Sequence, residues 1–202
     1  MQSAIAGNEL ALYLSSRHGS NAWAQRKDVI AAWKRGAQHL VPPMTAEYAP
    51  IISCNADCYG CPCRKSRLKI SDRVYQSAAR APEDDIHASK RETAMRILEA
   101  ARQGGVGGFF WTGGGEPTVW APLIDMLAYS ANLGMLNALY TNGFALGSDP
   151  GYAEALLEPS SGLVFVRVSI NTVSPAITKF HWGVNAESVR PQLTGLQRLL
   201  SR

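Results

Sequence analysis

Between Ser89 and Leu200 short apolar runs alternate with segments of helical period, and no other feature limits the fold as tightly. VGGFFW (106–111), MLNALY (135–140) and LVFVRVSIN (163–171) each begin beside a glycine and are short, so they read as strands. Helical segments separate and follow them: SKRETAMRILEAARQGG, residues 119–133, GYAEALLE, and VNAESVRPQLTGLQRLL at 184–200. The first has a candidate N-cap at Ser89 with Glu92 three residues on. Its apolar face is Ala94, Met95, Ile97, Leu98 and Ala101, and Gly104–Gly105 stops it. In the last segment Pro191 either interrupts the helix or opens its main part.

One more apolar run, YAPIIS (48–53), precedes this region and ends on Cys54. Counting it, strand and helix alternate four times. That order predicts an α/β fold with a parallel sheet and right-handed crossovers. In such folds the loops after the carboxyl ends of the strands make the site. Cys54, Gly113 to Glu116, Thr141 to Gly143 and Asn171 all fall at or after such ends, so they are expected to converge on one rim.

The rest of the chain is less regular. Residues 9 to 39 predict two helical pieces divided near RHGSN, with Ser20 or Asn21 capping the second. Trp23, Val29, Ile30, Trp33 and Leu40 form its rough apolar stripe. VPPMT breaks the pattern, which divides the chain into an N-terminal helical extension (1–43) and a core domain (44–202). Residues 64 to 87 are polar and irregular and read as an excursion.

Composition excludes several classes. The net charge of +4 is spread without one dense Lys/Arg block, which argues against nucleic acid as a partner. There is no run of about 18 apolar residues, so no membrane span is expected. MQSAIAGNELALYLSS lacks the basic start and apolar centre of a secretory signal, which points to a cytoplasmic protein. In a reducing compartment clustered thiols serve metals or catalysis more often than disulfides.

All four cysteines lie in CNADCYGCPC, residues 54 to 63. Two disulfides there would need very short loops and awkward geometry. A structural zinc site usually pairs two CxxC knuckles across a spacer, and only Cys58–Cys61 has that spacing. A cubane [4Fe–4S] cluster held by Cys54, Cys58 and Cys61 is the third option, with one iron left open and Cys63 spare.

CNADCYGC (54–61) resembles the CxxxCxxC signature of the radical S-adenosylmethionine enzymes, and TGGGEPT (112–118) resembles their GGE motif after the second strand. The resemblance spans about residues 48 to 200. It implies a parallel-stranded partial TIM-type barrel, of which about four β/α units of an expected six are visible. It also implies a [4Fe–4S] cluster on Cys54, Cys58 and Cys61, and S-adenosyl-L-methionine chelated to the open iron. One-electron cleavage would then give a 5′-deoxyadenosyl radical that abstracts hydrogen from a peptide or small-molecule substrate. An electron donor such as flavodoxin or ferredoxin is implied as a partner. By the same resemblance Gly114, Gly115 and Glu116 receive the methionyl amine, and Thr141 is a further contact. Arg167, Ser169 and Asn171 alternate along the fourth strand and would meet the carboxylate and ribose.

Two departures from the family pattern stand out. The family usually has an aromatic just before its third cysteine. Here that place is Gly60, and Tyr59, one residue earlier, is the candidate adenine contact. The chain also shows four strands, so the fourth would have an exposed edge that calls for a missing C-terminal region, a partner or an oligomer. A catalytically inactive fragment, or a zinc-binding interaction module using the cysteines structurally, is the alternative reading.

Overall fold

A computed structural model describes residues 27–37, 43–63, 88–183 and 189–201. Four strands form one sheet in the order β1-β2-β3-β4: Thr45–Tyr48, Gly108–Trp111, Leu136–Thr141 and Leu163–Val168. Every neighbouring pair is parallel. Trp111 lies beside Tyr48 on one side and Leu139 on the other, and Thr141 lies beside Val168. The expected α/β architecture is therefore present. The sheet is open, with β1 and β4 at its edges.

Helices fill the connections: α1 (Lys27–Lys34), α2 (Arg91–Gln103), α3 (Leu123–Asn132), α4 (Phe144–Ser148), α5 (Pro150–Leu157), α6 (Pro175–Trp182) and α7 (Val189–Leu200). Helix α1 precedes β1; α2, α3, α4, α5 and α7 contribute to burying one face of the sheet. Phe109, Trp111 and Leu139 point into a core with Leu98 of α2, Leu123 and Leu127 of α3, and Leu156 of α5. Period two sends Phe110 and Ala138 to the other face. There Phe110, Tyr140 and Phe165 stack edge to face at 5.6 and 6.2 Å. Phe109, Phe110 and Trp111 are all buried.

One core position is polar. Asn137 is fully buried on β3, where its Oδ1 accepts from Trp111 Nε1 at 2.9 Å. Its Nδ2 donates to Leu127 O and Ser161 O at 2.9 and 2.7 Å. Strand, helix and following turn are thus tied by one amide whose hydrogens are both used.

Several elements differ from expectation. The first strand is Thr45–Tyr48 rather than 48–53, because Pro50 has no N–H to give the ladder. Ala49 to Ser53 instead runs on as an extended segment, and Ile51 bridges Ala88. Ser89 does not cap α2: Lys90 holds that position without a side-chain bond. Ser89 instead bonds Pro50 O through its N–H and accepts Trp120 Nε1 on its carbonyl. The segment 119–133 splits into a 3-10 turn (Pro117–Val119) and α3, as Pro122 delays the helix. Helices α4 and α6 were not expected; α6 carries His181 and Trp182. Trp33, placed on an apolar stripe, is 70% exposed, while Ala32 is buried. The remaining expectations for 1–26, including the caps and Trp23, lie outside the described residues, as do Leu40 and the excursion 64–87.

Candidate functional site

A cavity of about 330 Å³ opens at the carboxyl ends of the strands. Its volume lies in the range of small-molecule sites, about 300–1,000 Å³. Cys54, Cys58 and Cys61 line it, with Thr112 to Glu116, Tyr140 to Asn142, Arg167, Ser169 and Trp182. Three of the four features expected on one rim are therefore brought together. Gly114, Gly115, Glu116, Thr141, Arg167 and Ser169 border the cavity alongside the three thiols. Asn171 and Tyr59 do not. The Asn171 amide meets His181 Nε2 at 2.9 Å, and Tyr59, 69% exposed, stacks on Phe180 with centroids 5.8 Å apart.

The cysteine loop is held from below by α6. Asp57 N–H donates to Trp182 O at 2.8 Å and Tyr59 N–H to His181 O at 3.0 Å. These are carbonyls of the last helical turn, which have no partner within the helix. The helix end and the loop thus satisfy each other. Ala56, Phe144 and Trp182 form a small apolar cluster under Cys54 and Cys58. Cys63 is not among the cavity lining; a Cβ on Gly114 would stand 3.6 Å from its Sγ.

The glycine loop lies against the extension of β1. Thr112, Gly115 and Glu116 donate their N–H groups to Tyr48, Ile51 and Ser53 carbonyls at 3.0, 3.1 and 3.0 Å. A Cβ on Gly115 would come within 2.2 Å of Ser53 O, so no other residue fits there. A Cβ on Gly114 would meet nothing closer than 3.6 Å. The glycine of the motif that backbone packing requires is therefore Gly115.

Glu116 is buried, and its carboxylate gathers four donors. Oε1 accepts from Thr118 N–H at 3.1 Å and from the hydroxyls of Thr118 and Thr141 at 2.6 Å each. Oε2 accepts from Asn142 N–H at 2.7 Å. Burial pushes this carboxyl above its ordinary value, and the bonds to Thr118, Thr141 and Asn142 offset part of that. Glu116 therefore braces the loop after β2 to the loop after β3. Arg167 reaches the cavity with its guanidinium 5.3 Å from the centroid of the Tyr140 ring.

The donor chemistry fits a cluster. Among the described residues no three His, Cys, Asp or Glu side chains gather as a group that could hold one metal ion. The three thiols are instead spread around a cavity, as ligands to separate irons of a cubane are. Trp182 lines the same cavity, and its buried Nε1–H has no acceptor among the described residues. Asn55, beside Cys54 but outside the lining, likewise has no partner among the described residues for its buried Nδ2. Buried donors of this kind call for a bound acceptor.

Among the lining residues, sequence reasoning missed Tyr140 and did not choose Trp182; Asn142 was expected on the rim, with Thr141 the chosen contact. An Asn-Gly pair reads first as a turn, so only Thr141 stood out in TNG. Trp182 would have needed α6 to be recognised.

An open parallel α/β sheet with three thiols and a glycine-rich loop at its carboxyl rim defines a class of cofactor-binding half-barrel. The chain matches the family model of the Radical SAM superfamily over residues 48–201, and so belongs to that superfamily. Its members bind a [4Fe–4S] cluster and S-adenosylmethionine, and use a reductant and a substrate. Among curated proteins no match to the chain was found. No helix among the described residues is long and apolar enough to cross a membrane.

Proposed function

We propose that Cys54, Cys58 and Cys61 hold a [4Fe–4S] cluster and that the adjoining cavity seats S-adenosylmethionine, for hydrogen abstraction from a peptide or small-molecule substrate. One observation carries this reading: the three thiols, the Thr112–Glu116 loop, Arg167 and Ser169 border the same cavity. When bound, the cluster and S-adenosylmethionine supply one-electron cleavage of the sulfonium to a 5′-deoxyadenosyl radical.

The work of the chain is binding and orientation. The backbone of Gly114 and Gly115 receives the methionyl amine, with Glu116 Oε2, which takes one donor among the described residues, as a further acceptor. Arg167 pairs with the carboxylate, and its Tyr140 platform limits where the guanidinium can go. Ser169 takes the ribose. Thr141 acts through Glu116, to which its hydroxyl is given. Asn171 and Tyr59 stand outside the lining and meet the nucleoside at its outer edge. The electron arrives from a low-potential donor of the flavodoxin or ferredoxin type, in the cytoplasm.

Anaerobic reconstitution followed by dithionite and S-adenosylmethionine tests the reading. We expect about four irons per chain, and 5′-deoxyadenosine as product. Alanine at Cys54, Cys58 or Cys61 should abolish both, and Cys63→Ala should keep both. An intact cluster that yields no 5′-deoxyadenosine would sink the proposal for this chain.

A further inference from the structure

Asn142 makes no contact that its reading as a turn residue requires it to make with the cysteines, yet its amide faces one of them. Its Oδ1 accepts from Phe144 N–H, two residues on, at 3.1 Å. That bond opens α4 and settles which way the amide lies. Nδ2 must then point the other way. It donates to Asn55 Oδ1 at 2.6 Å and lies 3.9 Å from Cys54 Sγ, within range of a long N–H···S bond.

The backbone of Asn142 is fixed as firmly. Its N–H goes to Glu116 Oε2 at 2.7 Å, and its carbonyl accepts from Gln192 Nε2 at 2.6 Å. Asn142 and Asn55 are 6% and 4% exposed, so little of either side chain is open to water. The donor is therefore held in place before any ligand arrives.

We infer that Asn142 is a tuning residue for the cluster, its side-chain N–H donating to the Cys54 thiolate and raising the cluster's reduction potential. The inference rests on Cys54 being a cluster ligand, as proposed above. A thiol is a weak acceptor, but an iron-bound thiolate carries negative charge and accepts more strongly. On reduction one electron passes from the external donor to the cluster, and no bond to the protein forms or breaks. The added negative charge strengthens the N–H···S bond, so the bond favours the reduced state. Asn55 assists as a positioning residue, since its Oδ1 takes the other amide hydrogen.

The experiment is a mediated redox titration of the reconstituted protein, followed by electron paramagnetic resonance, for wild type, Asn142→Ser and Asn142→Asp. Serine and aspartate can both still accept from Phe144 N–H, but neither donates as the amide does. We expect both variants to hold the wild-type iron content and to titrate at lower potential. At the wild-type midpoint the ratio of reduced to oxidised cluster should fall about three- to tenfold for Asn142→Ser, the net worth of one hydrogen bond. Tenfold corresponds to about 59 mV for a one-electron couple. Asn142→Asp should fall further, because it adds charge. Unchanged or raised potentials in cluster-loaded variants would overturn the inference while leaving the ligand assignment intact. Loss of iron from both variants would also overturn it, since Asn142 would then be structural. A wild-type protein that binds no iron would instead overturn the ligand assignment on which it rests.

Discussion

Glu116 sits where the family motif puts a carboxylate, and its four donors show what that carboxylate does within the protein. A glutamine has the same shape but carries an NH2 in place of one oxygen. Whichever way it lies, that NH2 faces an N–H or O–H that now donates to Glu116. Glu116→Gln should therefore lower stability by about 1–3 kcal/mol in chemical denaturation. The pH dependence has a definite sign. Burial raises the folded carboxyl above its ordinary 4.5, so the folded chain takes up this proton before the unfolded chain does. The group's contribution to stability thus grows as pH falls through the folded value toward 4.5, and declines as pH rises. The margin of wild type over Glu116→Gln should widen on acidification in that window. A margin that narrows there would show that the four donors outweigh burial.

At the scale of elements, α4 shows how a short helix is fixed by contact. Its five residues are too few to be stable alone. Arg198 of α7 donates to the carbonyls of Leu146 and Gly147 at 2.7 and 2.9 Å, capping the end. The two helices approach so closely that a Cβ on Gly147 would lie 1.7 Å from Pro191 O. Backbone must move to admit it, so Gly147→Ala should cost at least about 1–3 kcal/mol in thermal or urea unfolding. Gly60 offers the contrast. Nothing lies within 4 Å of its would-be Cβ, so Gly60→Ala should stay within about 0.5 kcal/mol of wild type. The same contrast explains what was legible in the sequence. The strands after residue 105, the helices α2 and α5, and the thiol and glycine loops each announce themselves by period, spacing or punctuation. Helix α4 does not, because its stability comes from Pro191 and Arg198, about fifty residues away. Nor does α6, whose PAITKFHW buries Thr178 and Trp182 on one side and shows Ile177 and Phe180 on the other. No single apolar stripe marks it. Trp182 lines the cavity, and Asn142 reaches Asn55 and Cys54, through contacts that only the fold creates.

At the scale of the molecule, the cavity is built at one end of an open sheet, and apolar surface extends from it. Phe180 is 73% exposed, Ile177 53% and Val173 65%, and Tyr59 stacks on Phe180 beside the cysteine loop. On β4, an edge strand, Val164 is 37% exposed. Exposed apolar residues that adjoin one another drive association, and an open strand edge adds unpaired backbone groups. The chain as it stands should therefore self-associate with rising concentration. Ile177 and Phe180 lie three residues apart on α6, on the side away from buried Thr178 and Trp182. Lysine at both positions places charge on that face without entering the core. Ile177→Lys with Phe180→Lys should shift the sedimentation profile toward monomer, and more so at low salt, where like charges repel over longer distances. Stability should change by no more than about 0.5 kcal/mol at Ile177, and by about 0.5–1.5 kcal/mol at Phe180, which loses its stack on Tyr59. A wild-type chain that sediments as a monomer throughout the concentration range would refute the expectation. So would a double variant that associates as strongly as wild type, since the contact would then run through β4 and not through α6.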